Sequence, residues 1–347
     1  MGPIGRYRFD KKLEEGRHFP ILQVAKKKDL DSLITKAVMH GGDLKITTPS
    51  GLTILHFAAM NKMHGFDIVN WLDDPDLSRK DVDGEEPIHY AVRVKNYNFA
   101  LLVLNMRDPM AHNLLQFFIM QNDLKFAKVV NDEIGDIHFV TEKGKTILHY
   151  AAQYAGREMC EWLVEKGLNV EAKTYARKYS VLHFTVLNNR TSLANANAAF
   201  FIAKNPSLLN YRDAFDQTPL HRALYHQDIP LATFLLDKGA CIWIKWKRNK
   251  NLLYFCVQKR KFESAKFVHG MNNQLIKEVC DDGMTALHIA ARNRDERFCE
   301  WLVKNGVDPK ALDTKNRSAL HYLQLNAVDS DDIHRLWGFL NEAIYDE

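Results

Sequence analysis

The chain has 347 residues, of which 46% are hydrophobic and 26% are charged. This balance is that of ordinary globular proteins and excludes disordered and collagen-like classes. A net charge of +4, from 47 basic and 43 acidic residues, is too small for a protein that binds nucleic acid by bulk charge alone. Because no apolar run approaches the roughly 18 residues of a membrane span, we expect a soluble protein.

The chain opens with a charged segment, residues 1–17, which we predict to be a tail. This segment contains no hydrophobic stretch of the kind that directs secretion. The five cysteines are odd in number, widely scattered and without a CxxC pair, which argues against a disulfide framework or a zinc site. We therefore expect an intracellular, reducing environment, namely the cytoplasm, with the nucleus left open as a second compartment.

A short phrase with a central histidine recurs along the chain. Its seven copies are GLTILHFAA (51–59), GEEPIHYAV (84–92), GKTILHYAA (144–152), KYSVLHFTV (178–186), DQTPLHRAL (216–224), GMTALHIAA (283–291) and NRSALHYLQ (316–324). Degenerate copies around Gln116 and Tyr254 fill two double-length gaps, and one around Gln23 precedes the first histidine. The successive spacings are 33, 33, 27, 33, 34, 38, 33, 34 and 33 residues.

A period of about 33 residues with a Thr-Pro-Leu-His-x-Ala phrase is typical of ankyrin repeats, and the chain resembles the ankyrin-repeat family over residues 18–324. The resemblance implies an all-α solenoid of helix-turn-helix units with projecting hairpin fingers. We expect a capping helix within residues 325–347. The repeats are expected to begin near residues 18, 50, 83, 110, 143, 177, 215, 248, 282 and 315.

The residues of the phrase suit the start of a helix. A hydroxyl stands where an N-cap is needed in most copies, and the leucines Leu148, Leu220 and Leu287 are predicted to be buried between stacked helices. The resemblance implies that the histidines are structural and form hydrogen bonds within and between neighbouring fingers. The predicted capping residues are Thr53, Thr146, Ser180, Thr218, Thr285 and Ser318.

Two irregular steps interrupt the period. The 27-residue step indicates a shortened finger within MRDPMAHN (106–113), and the 38-residue step indicates extra residues within NNRTSLANANA (188–198), between the two helices of one repeat. Drift in a tolerant loop explains both steps. A surface shaped for one partner is the functional alternative.

No motif in the chain indicates catalysis. The segment KGKT (143–146) lacks the upstream glycine of a phosphate-binding loop, since that position is Phe139. There is no HExxH pattern, no G-x-S-x-G elbow and no cysteine with a nucleophile signature. We therefore predict a protein that is not an enzyme, with no catalytic residues, no cofactor and no metal site.

Three successive fingers carry aromatic and basic residues where turns of the family are usually rich in Asp, Asn and Gly. They are KTYARKYS (173–180), NYRDAFDQ (210–217) and CIWIKWKRNK (241–250). Tyrosine, tryptophan and arginine are enriched at binding hot spots. The predicted protein-binding residues are Tyr175, Arg177, Tyr179, Tyr211, Arg212, Phe215, Trp243, Lys245, Trp246, Lys247 and Arg248.

We interpret these fingers as the contact surface for a partner protein with an acidic surface. Mutual packing of the same side chains is the alternative. Trp246, which lies between Lys245 and Lys247, is expected to be exposed, whereas Trp243 is expected to fold back onto its finger.

The function that the resemblance favours is that of a scaffold, adaptor or inhibitor that binds a partner through its concave face and finger tips. Nucleic-acid binding by the basic and aromatic finger at 243–250 is the alternative; the low net charge makes it the weaker hypothesis, and no membrane partner is expected. The irregular copies suggest a fast-changing repeat protein, such as a viral or bacterial effector in a host cytoplasm. The sequence leaves the oligomeric state open.

Overall fold

The computed structural model describes residues 25–26, 46–72, 75–107, 113–134, 137–188, 191–324 and 331–345. Contacts divide the chain into two compact units, Met1–Ile137 and His138–Glu347. Among the described residues, no helix combines the length and hydropathy needed to cross a membrane. The predicted tail at 1–17, most of the first predicted repeat and the centre of the predicted short finger at 106–113 lie outside the described residues.

The first unit contains three helix pairs in the described ranges. In each pair, the first helix carries the recurring phrase, and the second runs back against it. The first helices of the first two pairs pack on each other, and the first helix of the second pair packs on the second helix of the third. The bounds are α1 Ile54–Ala59, α2 Gly65–Trp71, α3 Pro87–Arg93, α4 Tyr97–Arg107, α5 Leu114–Met120 and α6 Leu124–Ile134.

The second unit repeats the same arrangement. Its first helices are α7 Ile147–Tyr154, α9 Val181–Thr185, α11 Pro219–His226, α13 Leu252–Gln258, α15 Ala286–Arg292 and α17 Ala319–Gln324. Its second helices are α8 Arg157–Glu165, α10 Thr191–Lys204, α12 Ile229–Asp237, α14 Phe262–Met271, α16 Glu296–Lys304 and α18 Asp331–Tyr345. Short 3-10 turns follow α10 and α14, at Pro206–Asn210 and Asn273–Ile276. The described residues are thus all-α, as predicted, and each compact unit consists of helix-turn-helix pairs packed side by side.

The histidine of the phrase joins the start of its own helix to the next repeat. His149 Nδ1 accepts a hydrogen bond from the backbone N–H of Thr146 at 3.1 Å, and the Thr146 hydroxyl donates to the same nitrogen at 2.8 Å. Its Nε2–H donates to the carbonyl of Tyr179, one finger further on, at 3.3 Å. The predicted structural role is confirmed for His149 and for three more of these histidines. The corresponding pairs are His56 to Glu85, His183 to Gln217 and His288 to Arg317.

Most fingers are tight turns that main-chain hydrogen bonds tie to a neighbouring finger. In the finger at 213–217, the Asp213 N–H donates to the Gln217 carbonyl at 2.8 Å, and the Asp216 N–H donates to the Asp213 carbonyl at 3.0 Å. The Ala214 N–H donates to the carbonyl of Arg177 in the preceding finger at 2.9 Å. Such bonds hold adjacent fingers in a fixed register, so residues on their tips form one surface.

The core follows the sequence pattern closely. Leu148, Leu220 and Leu287 are at most 2% exposed, as predicted. Most aromatic residues that follow the central histidines, such as Phe57 and Tyr90, are also buried. Burial raises the pKa of the three cysteines that sit in helices, as expected for cysteines that act as small hydrophobes. These cysteines are Cys160, Cys256 and Cys299.

The long step between repeats lies mostly in a helix rather than between helices. Residues 191–198 form the first turns of α10, which has 14 residues against nine in α8. The Ala-rich sequence favours helix here. The buried Asn197 amide donates to the carbonyl of Ala155 at 2.9 Å, which ties the extension to the preceding repeat. The prediction of an added connecting loop is corrected accordingly.

Candidate protein-binding surface

The predicted site residues lie on three adjacent turns of the second unit, together with the segments that lead into the second and third turns. We call the turns at 174–179, 213–217 and 246–250, with the side chains that rest on them, the three-finger surface. The second turn is joined to the first through the main chain and to the third through side chains. The structure therefore brings together predicted site residues that are up to 73 positions apart in the sequence.

Tyr175 is 59% exposed and rests on the turn of the preceding finger. A Cβ atom on Gly144 would lie 2.6 Å from the tyrosine ring, and Gly144 has a positive φ of +77°. Glycine is needed there both for the backbone conformation and for the close approach. The Tyr175 N–H also donates to the carbonyl of Lys143 at 3.0 Å. The ring is thus held in place while one face remains open.

Tyr179 is surrounded by positive charge. The guanidinium carbon of Arg222 lies 4.4 Å from the centre of its ring, and that of Arg177 lies 5.9 Å away. Arg177 also donates to the Tyr179 hydroxyl at 3.3 Å. The ring stacks on the core residue His183, with centroids 5.7 Å apart. Two guanidinium groups are therefore positioned on one half-buried tyrosine.

Phe215 is 42% exposed and lies between two cations. Arg177 from the preceding finger approaches its ring at 5.8 Å, and Lys247 from the following finger approaches it at 5.9 Å. A cation over an aromatic face is stabilised by the ring quadrupole, by about 0.5–1 kcal/mol at exposed sites. Tyr211 has a similar contact with Lys173 at 4.2 Å.

The two tryptophans have the opposite roles to those predicted. Trp246 is only 7% exposed: its ring packs edge-on against Phe255 at 5.1 Å, and its Nε1–H donates to the carbonyl of Phe215 at 2.9 Å. Side chains alternate in direction along extended backbone, so lysines on either side of Trp246 do not indicate that Trp246 itself is exposed. Trp243 is 48% exposed and presents a large apolar surface at the base of the third finger.

Three of the predicted basic residues are already neutralised by carboxylates. Arg212 pairs with Asp216 at 2.6 Å and also donates to the carbonyl of Lys245 at 2.8 Å. Arg248 pairs with Asp282 at 3.0 Å, and Lys245 pairs with Glu278. These side chains connect neighbouring fingers, so their charges are less available to a partner than the sequence suggested.

Other cations rest on aromatic rings instead of carboxylates. Lys145 lies 3.9 Å from the ring centre of Tyr150 and 4.9 Å from that of Phe184, and desolvation lowers its pKa to about 8. No carboxylate of the described residues lies within 4 Å of these cations. Sequence reasoning missed Lys145 and Arg222, whose contacts include Phe184 of the next repeat and Tyr179 of the preceding repeat, respectively. In the second unit the set comprises Lys145, Lys173, Arg177, Lys204, Arg222, Lys238, Lys247, Lys250, Lys259 and Lys261.

Two lysines from different segments of the chain lie near the ring of Trp246. Lys250, at the end of the turn, and Lys259, after the following helix, lie 5.9 Å and 5.8 Å from Trp246. In the described ranges, no group of three or more His, Cys, Asp or Glu side chains could hold a metal ion.

Two family profiles match the chain. One, described as ankyrin repeats (3 copies), matches residues 21–113 and 252–333, and another, described as ankyrin repeats (many copies), matches residues 148–236. Among solved structures, the ankyrin repeat domain of human ASB11 is 18% identical, with 65% of this chain and 96% of that chain covered and a TM-score of 0.47.

Curated relatives include two viral proteins and one channel. An ankyrin repeat protein of Acanthamoeba polyphaga mimivirus is 20% identical over 59% of this chain, and one of fowlpox virus (strain NVSL) is 25% identical over 59%. The human transient receptor potential cation channel subfamily A member 1 is 24% identical over 62% of this chain. The chain spans 28%, 53% and 19% of the lengths of these relatives, respectively.

Proposed function

Because the chain belongs to the ankyrin-repeat family, whose repeats are typically non-enzymatic modules that bind proteins, we propose that it binds an acidic segment of a partner protein through the three-finger surface. The proposal includes the role of scaffold, adaptor or inhibitor, and no catalytic activity. The single observation that carries it is the group of cations held on aromatic rings at this surface, such as Arg177 and Lys247 on Phe215, with no carboxylate of the described residues within 4 Å.

Cations stacked on rings suit an acidic partner for two reasons. An arginine or lysine that is not engaged in an ion pair attracts an approaching acidic surface, which raises the rate of association. The rings beneath add rigid apolar area at low entropic cost, as is common at binding hot spots. We therefore assign direct contact to Tyr175, Arg177, Phe215, Trp243 and Lys247, and a supporting role to Trp246.

Nucleic-acid binding is the second candidate, favoured by the same combination of cations and aromatic rings, which suits single strands. Against it, Arg212, Lys245 and Arg248 are paired with carboxylates, so the finger predicted to bind a strand is partly neutralised. A single-stranded polynucleotide titrated at increasing salt separates the two functions. Tight binding with a steep salt dependence would favour the nucleic-acid hypothesis.

Variants of the three-finger surface test the proposal. A triple variant, Arg177→Glu, Phe215→Ala and Lys247→Glu, is expected to weaken binding of the partner at least tenfold, because it removes two cations and the exposed ring between them. The partner is first captured from lysate and identified by mass spectrometry. Its dissociation constant is then measured by titration calorimetry with both proteins purified.

A matched triple variant on other parts of the second unit controls for charge and hydrophobicity. Lys166→Glu, Lys310→Glu and Met271→Ala change two exposed lysines and one residue that is 50% exposed. This control is expected to bind as the unmodified chain does. Equal affinities for the two triple variants would refute the proposed surface.

We also propose that the protein acts in the cytoplasm of a host cell as an effector. The viral origin of two relatives supports this setting. Microscopy of the tagged chain expressed in animal cells tests it, since an effector of this kind should remain cytoplasmic and co-precipitate a host protein. Recovery of the chain without any host protein would contradict the effector role.

A further inference from the structure

Two repeats share a hydrogen bond between the finger and the helix that follows. The Tyr90 hydroxyl donates to Asp81 Oδ2 at 2.6 Å, and the Tyr322 hydroxyl donates to Asp313 Oδ2 at 2.6 Å. In both cases the aspartate begins the finger, and the tyrosine stands nine residues later, directly after the central histidine position. This bond satisfies the second carboxylate oxygen of a buried aspartate.

A third repeat has the aspartate but not the tyrosine. Asp213 begins its finger and is 6% exposed, but the residue nine positions later is Arg222. Asp213 Oδ1 accepts from the backbone N–H groups of Phe215 and Gln217 at 2.7 Å and 2.9 Å. Asp213 Oδ2 and Arg222 Nε are both buried, and neither has a hydrogen-bond partner among the described residues.

Arg222 at this position therefore lowers the stability of the fold. Buried polar atoms without partners are destabilising, and the same chain satisfies this position elsewhere with a tyrosine. The guanidinium of Arg222 instead lies 4.4 Å from the ring centre of Tyr179, and that of Arg177 lies 5.9 Å from the same centre. No carboxylate of the described residues lies within 4 Å of either guanidinium group. Local departures from the favourable arrangement are most often found at functional positions.

We propose that Arg222 and Arg177, gathered on Tyr179, form a subsite for an oxyanion carried by the partner, either a carboxylate or a phosphoryl group. Paired guanidinium groups suit such ligands because each offers several N–H donors in a planar fork. The inference rests on the proposed function, since it specifies which chemical group of the acidic partner enters the three-finger surface and which residue selects it.

The substitution Arg222→Tyr tests the subsite, because the chain itself shows what tyrosine does at this position. The new hydroxyl is expected to bond Asp213, so the melting temperature should rise by about 2–4 °C. At the same time, binding of inorganic phosphate should weaken at least tenfold. Binding is followed through the ring resonances of Tyr179 in NMR titrations of the whole chain.

Two peptides of equal length, one with glutamates and one with phosphoserines, distinguish the carboxylate from the phosphoryl group. Arg297→Tyr is the matched control, because Arg297 stacks on Phe262 at 3.7 Å but is paired with Glu263. It should leave the affinity for phosphate and for both peptides unchanged. Unchanged affinity of all three probes for the Arg222→Tyr variant would overturn the subsite.

Failure of the subsite and failure of the proposed function give different results. If Arg222→Tyr binds every probe normally while the triple variant of the three-finger surface still loses the partner, only the oxyanion subsite is wrong. If the triple variant also retains the partner, the surface itself is wrong. If Arg222→Tyr binds the probes less tightly and melts at a higher temperature, while the triple variant loses the partner, both the subsite and the three-finger surface are supported.

Discussion

Replacement of Trp246 by alanine is expected to lower the free energy of unfolding by about 4–6 kcal/mol. Truncation of a buried tryptophan costs about 3–5 kcal/mol through lost contacts and the cavity left behind. The Phe215 carbonyl also loses the indole N–H that joins the second and third fingers, which adds about 1 kcal/mol. Urea unfolding followed by circular dichroism measures the difference.

Trp243 provides the matched control, since it lies three residues away and is 48% exposed. Its replacement by alanine is expected to change the free energy of unfolding by less than about 0.5 kcal/mol, as for most surface substitutions. Trp243→Ala is instead expected to weaken binding of the partner. Similar small losses of stability for the two variants would contradict the buried position of Trp246.

Acidification from pH 8 to pH 5 is expected to destabilise the protein by several kcal/mol. Burial lowers the pKa of His149 to about 4 and that of His183 and His221 to about 3, from an ordinary value of 6.5. Below pH 6.5 the unfolded chain binds protons that the folded chain does not, so stability is complete above that pH and is lost as pH falls. Each histidine contributes about 2 kcal/mol at pH 5.

Another repeat of the chain suggests a substitution that isolates the effect of one buried histidine. Gln116 occupies the histidine position in another repeat and is fully buried. A His149→Gln variant should therefore fold and take up about one proton fewer on unfolding between pH 6 and pH 5. Urea unfolding at pH 8, 6 and 5 gives the slope for both proteins. Identical slopes, or stability that does not change with pH, would contradict the account of the buried histidines.

The repeat architecture was predictable from the sequence because the residues that indicate it are local and recur along the chain. Capping residues, central histidines and buried leucines such as Leu220 occupy the same place in successive helices. The extension at 191–198 was less predictable, since a count of extra residues does not tell whether they lengthen a loop or a helix.

The candidate surface was predictable only in part. The composition of the three fingers indicated the region, but burial of Trp246 depends on Phe255 and on the carbonyl of Phe215, which come from other turns. Partners that lie one repeat apart, such as Lys245 and Glu278, become visible in sequence only when successive repeats are aligned. Arg222 also stands out only when successive repeats are aligned, because two other repeats carry tyrosine at its position.

Amide hydrogen exchange of the chain, alone and with its purified partner, tests the central claim most directly. The three-finger surface is the proposed contact, so partner binding should slow exchange at 174–179, 213–217 and 246–250. Exchange in the acidic turn at 81–86 of the first unit should stay unchanged. Protection confined to residues 81–86, with no change in the three fingers, would contradict the account.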